Sequence, residues 1–219
     1  MYQYCIFDLD GTLLDTTRAL QKATNLTMAR FGLGPLTVEQ IKSIVGDGYK
    51  KQMERALKLC GDEELNHYEE ALSVYIEIFG KNCMYQVSPY EGIDRLLKAI
   101  KENGMKAAVF SNKPHAQTVE NITGIFGADA FAVIRGQQEG TPKKPDPAGV
   151  FAIMKELGAA PENCLYFGDT GTDMQTGKNA GIDTVGVLWG FRGREELEQF
   201  SPEYIITRPE EGIGIFCGK

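Results

Sequence analysis

The chain has 219 residues, 42% of them hydrophobic and 24% charged, which is enough for a sizeable core in one large domain or two unequal ones. Its net charge of −7 opposes binding to nucleic acid or to an anionic membrane surface, and no apolar run reaches the length of a membrane span. The same charge means that an anionic substrate needs a locally positive site.

An apolar run from Tyr2 to Phe7 predicts a buried strand that ends in Asp8-Leu9-Asp10-Gly11-Thr12-Leu13-Leu14-Asp15. From about Thr16 to Lys81 the pattern is helical. Thr37-Val38-Glu39-Gln40 has the form of a capping box, and Leu65, Tyr68, Leu72, Tyr75 and Phe79 recur as a buried stripe. Strands and helices then alternate. Ile93, Leu96, Leu97 and Ile100 mark a helix stopped by Gly104, and Lys106 to Phe110 is a strand. A helix from about Pro114 to Ile125 and a strand from Phe131 to Ile134 follow. Val150, Phe151, Met154 and Leu157 mark a further helix ending at Gly158. Cys164 to Phe167 is a strand, Thr172 to Ala180 a helix, and Thr184 to Leu188 and Tyr204 to Ile206 are strands. Such alternation predicts an α/β core of parallel β-α-β units, comprising residues 1–15 and 83–219 and interrupted by a helical insertion over 16–82. Five scattered cysteines without a Cys-x-x-Cys pair, and an N-terminus unlike a signal peptide, give the expectation of a reduced, cytoplasmic setting.

Side chains two apart on an extended strand face the same way, so Asp8 and Asp10 should converge just beyond the sheet. Two such acids repel unless a cation lies between them or one holds a proton. Gly11 allows the sharp turn that follows. Counted from Asp8, the sixth residue is Leu13 and the twelfth is Ala19, which excludes a calcium hand. Ligands of open parallel sheets bind beyond the carboxyl ends of the strands. There the sequence offers Ser111-Asn112-Lys113-Pro114, Asp169-Thr170-Gly171-Thr172-Asp173 and Thr141-Pro142-Lys143-Lys144-Pro145-Asp146-Pro147. Taken singly, each has an ordinary structural role. Ser111 suits a helix cap, Lys143 and Lys144 a solvated pair, Asp169 and Asp173 the charged start of a helix, His115 an exposed first turn, and Trp189 a packing position. Together they describe a metal-and-phosphate site. Asp8 and Asp169 can give carboxylates to Mg2+, with the Asp10 carbonyl at the same turn. The Ser111 hydroxyl and the N–H groups opening its helix can hold phosphate oxygens. Lys144 supplies the positive charge.

In that order the four segments resemble the motifs of the haloacid dehalogenase-like hydrolase superfamily. They are Asp8 to Asp15, Ser111-Asn112-Lys113, Lys144-Pro145-Asp146-Pro147 and Gly168 to Asp173. The resemblance implies a Rossmann-like parallel sheet core with an inserted all-α cap of type one. It implies that Asp8 is the nucleophile of an aspartyl-phosphate and Asp10 the general acid. Ser111 and Lys144 would bind the phosphoryl group, and Asn112 would set the phosphate loop. Asp8, Asp10 and Asp169 would hold Mg2+. Asp173 would act through a water or a hydrogen bond, and Gly11 and Thr12 would support the turn. Val45-Gly46-Asp47-Gly48, Glu54-Arg55-Ala56-Leu57 and Gly186 to Phe191 look most like phosphoglycolate phosphatases, although pyrophosphatases and sugar phosphatases carry similar strings. Lys42, Lys50, Lys51 and Arg55 are candidate cap contacts. The glycine-interrupted segment after Pro209 departs from the last helix such relatives have.

The expected activity is Mg2+-dependent release of phosphate from a small phosphorylated metabolite, with 2-phosphoglycolate the best single candidate. Phosphoglucomutase-type transfer or pyrophosphate hydrolysis could use the same scaffold. A dehalogenase would leave Asp10 and Asp169 superfluous, and a phosphonate-cleaving enzyme would need a Schiff-base lysine in the cap. From a different class, an idle metal- or phosphate-binding module would not need both a nucleophile and an acid.

Overall fold

A computed structural model describes residues 1–217. Six parallel strands form the main sheet: β1 (Tyr4–Phe7), then, past the short β2 (Leu14–Asp15) and β3 (Ser88–Pro89), β4 (Lys106–Pro114), β5 (Val133–Gln137), β6 (Cys164–Gly168), β7 (Asp183–Val187) and β8 (Tyr204–Ile206). Their order is β5-β4-β1-β6-β7-β8, with every neighbouring pair parallel. β1 therefore lies in the middle, between β4 and β6, at the point where the strand order reverses. In doubly wound sheets this reversal opens a crevice for ligands at the carboxyl edge.

Both faces of the sheet are covered, which explains why the strands are apolar almost throughout. The side-chain alternation is nonetheless visible. Cys5, Phe7, Leu165 and Phe167 enter one buried cluster, whereas Ile6, Cys164 and Tyr166 enter another on the opposite face. Phe7 and Phe167 stack across β1 and β6 with ring centroids 4.6 Å apart.

The helices, in chain order, are α1 (Thr17–Ala29), α2 (Val38–Ile44), α3 (Tyr49–Leu59), α4 (Tyr68–Asn82), α5 (Ile93–Glu102), α6 (His115–Phe126), α7 (Ala148–Leu157), α8 (Gly171–Ala180), α9 (Arg194–Glu198) and α10 (Pro209–Cys217). The first four pack around an apolar cluster of their own that includes Leu20, Met28, Ile41, Met53, Leu57, Tyr75 and Phe79. The chain enters and leaves this helical unit through β2 and β3, which pair antiparallel. Thr37 caps α2 in the expected capping box, with Gln40 as the reciprocal partner.

Several expectations need correction. Leu65 lies ahead of α4 with φ 60°, so the buried face of that helix is Ala71, Tyr75 and Phe79. Phe151 is exposed on α7, and Ile153 is buried in its stead. β5 begins at Val133 and runs to Gln137. β4 continues through Ser111-Asn112-Lys113 to Pro114 with a shift in register after Phe110, and α6 starts only at His115. Ser111 therefore does not cap that helix. The glycine-interrupted C-terminal segment does form a helix, α10. It packs on α5, and a Cβ at Gly212 would lie 3.3 Å from both Leu96 and Phe167, so the lack of a side chain allows a close approach.

Candidate active site

β1 delivers Asp8 directly beyond the sheet, where its amide donates to the Phe167 carbonyl at 2.9 Å. Gly11, with φ 86°, then turns the chain so tightly that a Cβ there would lie 2.2 Å from Asp169 Oδ2. Asp169 follows β6, and Thr170 caps α8 in a second capping box closed by Asp173. One ligand oxygen from each of Asp8, Asp169 and Asp173 lies within 4.8 Å of the others, and all three residues are buried.

Lys144 reaches into this cluster from the segment before α7 and is 2% exposed. Its Nζ stands 2.6 Å from Asp173 Oδ1 and 2.8 Å from Asp8 Oδ1. Burial works against the ammonium, but Asp173 and Asp8 outweigh it and hold Lys144 charged well above the ordinary lysine value. Burial pushes the Asp8 carboxyl up to about 7 against the pull of Lys144, with Asp173 adding to the rise. Burial, then Asp173 and Asp8, raise Asp169 well above the carboxylate range, although the Phe191 amide at 2.7 Å and the Thr12 hydroxyl at 3.0 Å both donate to it.

Three buried carboxylates thus face one ammonium. Asp8 Oδ1, despite its ion pair with Lys144, is a buried oxygen with no hydrogen-bond partner among the described residues. An excess of negative charge carried by oxygen ligands in a low-dielectric pocket suits a hard divalent cation.

Asp10 faces a different partner. Its Oδ1 accepts from Lys113 Nζ at 2.8 Å, and its carboxylate stands outside the three-acid cluster. Asn112 ties two loops together. Its Oδ1 accepts from the Lys144 amide at 2.9 Å, and its Nδ2 donates to the Lys144 carbonyl at 3.3 Å and to the Gly46 carbonyl at 3.2 Å. Ser111 is buried beside them, and its Oγ accepts from the Lys113 amide at 3.3 Å. Asp8, Asp10, Ser111, Asn112 and Lys113 line one face of a small chamber of about 40 Å³. The helical unit closes the other face with Leu20, Val45, Gly46, Gly48, Tyr49, Gln52, Tyr75 and Phe79.

None of Lys42, Lys50, Lys51 and Arg55 lines that chamber. Arg55 pairs with Asp47 at 2.6 Å, Lys51 pairs with Glu54 at 2.7 Å, and Lys50 faces an adjoining cleft of about 680 Å³. Lys113 gave no signal beyond its place in a motif. Recognising that β4 runs on past Phe110 would have put Lys113 on the same side of the strand as Ser111. Asp47 and Arg192 were also missed. Thr172 donates to Asp47 at 2.8 Å, and Arg192 donates to the Lys42 and Val45 carbonyls, the latter at 2.9 Å. His115 accepts from the Gly136 amide at 3.2 Å, and Trp189 donates to the Thr12 carbonyl at 2.9 Å, so both are structural.

A switch-point crevice holding clustered carboxylates, a buried lysine and a small chamber under a helical unit describes a class of hydrolase whose acid cluster could hold a metal ion. Residues 5–187 match the family model for haloacid dehalogenase-like hydrolases, and the chain belongs to that family. It is 32% identical over 209 residues to the phosphoglycolate phosphatase of Psychrobacter arcticus, covering 91% of this chain and 89% of that one. It is 31% identical over 210 residues to the phosphoglycolate phosphatase of Aquifex aeolicus, covering 94% and 92%. A crystal structure of a Lactobacillus delbrueckii subsp. bulgaricus protein superposes with a TM-score of 0.91 at 29% identity, over 100% of this chain and 99% of that one. Among the described residues, no helix is long and apolar enough to cross a membrane.

Proposed function

We propose that the chain is a Mg2+-dependent phosphomonoesterase acting on a small phosphorylated metabolite, with 2-phosphoglycolate the leading substrate. The observation that carries this reading is the meeting of Asp8, Asp169, Asp173 and Lys144 at the carboxyl edge of the sheet, with the Asp10 carboxylate at the adjoining wall of the chamber. The phosphoglycolate phosphatases to which the chain is similar support the substrate.

Asp8 attacks phosphorus, and the P–O ester bond breaks with its electron pair going to the leaving oxygen. Asp10 gives that oxygen a proton. A water then attacks the phosphorus of the Asp8 acyl phosphate and loses its proton to Asp10, which releases inorganic phosphate and regenerates Asp8. Splitting the displacement into two steps lowers each barrier. The transition state spreads charge over three phosphoryl oxygens, so fixed positive groups do most of the work. Lys144 and Ser111 bind those oxygens. Bound Mg2+, held by Asp8 and Asp169 with the Asp10 carbonyl beside them, would offset phosphoryl charge. Asp173 fixes Lys144 and the start of α8. Residues 16–82 act as a cap that closes the chamber over residues 1–15 and 83–219 and keeps bulk water out. Five free cysteines support a reducing compartment.

The test is phosphate release from 2-phosphoglycolate with and without Mg2+. Release is expected to stop with EDTA, to return with Mg2+, and to fall by about 10⁴-fold or more in Asp8→Asn. Release that survives EDTA, or an Asp8→Asn variant as active as the parent, would refute the reading.

A further inference from the structure

We propose that Lys113 reads the substrate's leaving group, and that it selects phosphoesters whose leaving alcohol carries a carboxylate. This rests on the phosphomonoesterase reading above. Among the described residues Lys113 is the one cation lining the chamber, and its side chain is 2% exposed. An ammonium has three hydrogens to donate. Among the described residues, Asp10 is the only hydrogen-bond partner of Lys113 Nζ, which leaves two donors uncommitted. Phe79 lies beneath it, with the ring centroid 4.9 Å from Nζ.

The position fits the chemistry. Asp10 protonates the ester oxygen, so a cation hydrogen-bonded to Asp10 sits where the leaving group begins. In a phosphorylated 2-hydroxy acid the carboxylate is two bonds from that oxygen. The other charges in the site are already committed. Lys144 lies between Asp8 and Asp173, and a cation held by the acid cluster would offset phosphoryl charge. The cap wall gives a carboxylate no other cation among the described residues. Leu20, Val45 and Phe79 are apolar, and the polar ends of Gln52 and Tyr75 are turned on their own surroundings. Gln52 donates to Thr24 at 2.9 Å and accepts from Tyr75 at 3.4 Å. The chamber, about 40 Å³, suits a short leaving group.

A trianionic substrate entering a chain of net charge −7 needs a cation at each end. Lys144 serves the phosphoryl end and Lys113 the carboxylate end. An ester of the same size with an uncharged end would leave the Lys113 ammonium without a counter-charge, and sites built this way discriminate against the analogue that lacks the charged group.

The experiment compares 2-phosphoglycolate with 2-hydroxyethyl phosphate, a neutral-ended ester of similar size. Each is assayed by phosphate release with Mg2+ in the parent enzyme and in Lys113→Met and Lys113→Arg. The parent is expected to favour 2-phosphoglycolate by about 100-fold in kcat/KM. Lys113→Met slows both esters through lost contact with Asp10, but brings the ratio near one through a rise in KM for 2-phosphoglycolate. Lys113→Arg keeps most of the ratio. A parent that treats the two esters alike, or a Lys113→Met enzyme with the parental ratio, overturns the proposal. The parental comparison needs no variant to fold. Release from a sugar phosphate but from neither short ester overturns it too while leaving the phosphomonoesterase intact. Release from no phosphoester at all overturns the phosphomonoesterase reading itself.

Discussion

A methyl group added at Gly190 would sit 2.4 Å from both Asp169 Cβ and the Gly11 carbonyl oxygen, closer than real side chains approach one another. Asp169 cannot retreat, because Thr12 and the Phe191 amide grip both of its oxygens. Gly190→Ala is therefore expected to displace the carboxylate, at a cost of about 1–3 kcal/mol in stability. It should weaken Mg2+ activation about 10-fold or more, read as the half-saturating Mg2+ concentration; an unchanged value would show that Asp169 takes no part in holding the ion. At this scale the sequence was informative about Asp8, Asp169 and Lys144, because each directly follows a strand or stands in a rigid proline-flanked segment. It was uninformative about Asp173 as a third member of the acid cluster. Its capping role was visible, but its distance from Asp8 depends on the pairing of β1 with β6. The partnership of Lys113 with Asp10 was hidden for a similar reason, since it depends on β4 running past its apolar stretch.

The sequence pattern located the six strands of the main sheet and α5 to α8, because buried faces must follow the repeat of their element, but left α9 and α10 unread. Boundaries moved where hydrogen bonding to a neighbour overrode local composition, as when polar Ser111 to Lys113 extended β4 and glycine-containing α10 was held helical by packing on α5 and Phe167. Many contacts between the helical unit and the core were not legible, because they are polar and come from loops. The 45–47 segment between α2 and α3 is held from the core side by Arg192, Thr172, Lys143 and Asn112. Arg192 alone donates to carbonyls of Lys42 and Val45. Arg192→Ala should loosen this clasp without touching the reacting atoms. We expect kcat/KM to fall about 10-fold, mostly through KM, with the thermal midpoint lowered by only about 2–4 °C. Steady-state kinetics indistinguishable from the parent would mean that the clasp has no part in closing the chamber.

For the molecule as a whole, the acid cluster sets a conflict between stability and ionisation. In the fold Asp8 is raised from 3.8 to about 7, and Asp169 is raised as well. The folded state therefore holds these protons more tightly than the unfolded chain does. The metal-free protein loses stability from these groups as pH rises from about 4 through about 7. A cation that binds the ionised cluster relieves that cost, so its effect should grow with pH. Saturating Mg2+ is expected to raise the thermal midpoint by about 5–10 °C at pH 8 and by much less at pH 5. A shift equal at both pH values, or larger at pH 5, would contradict a site built from Asp8 and Asp169. The most direct check of the account is to quench the enzyme in acid during turnover of 2-phosphoglycolate with Mg2+ and to map the phosphorylated peptide by mass spectrometry. The account predicts one phosphoryl group, on Asp8, absent after EDTA. A phosphoryl group on any other residue, or phosphate release continuing undiminished in Asp8→Asn, would contradict it.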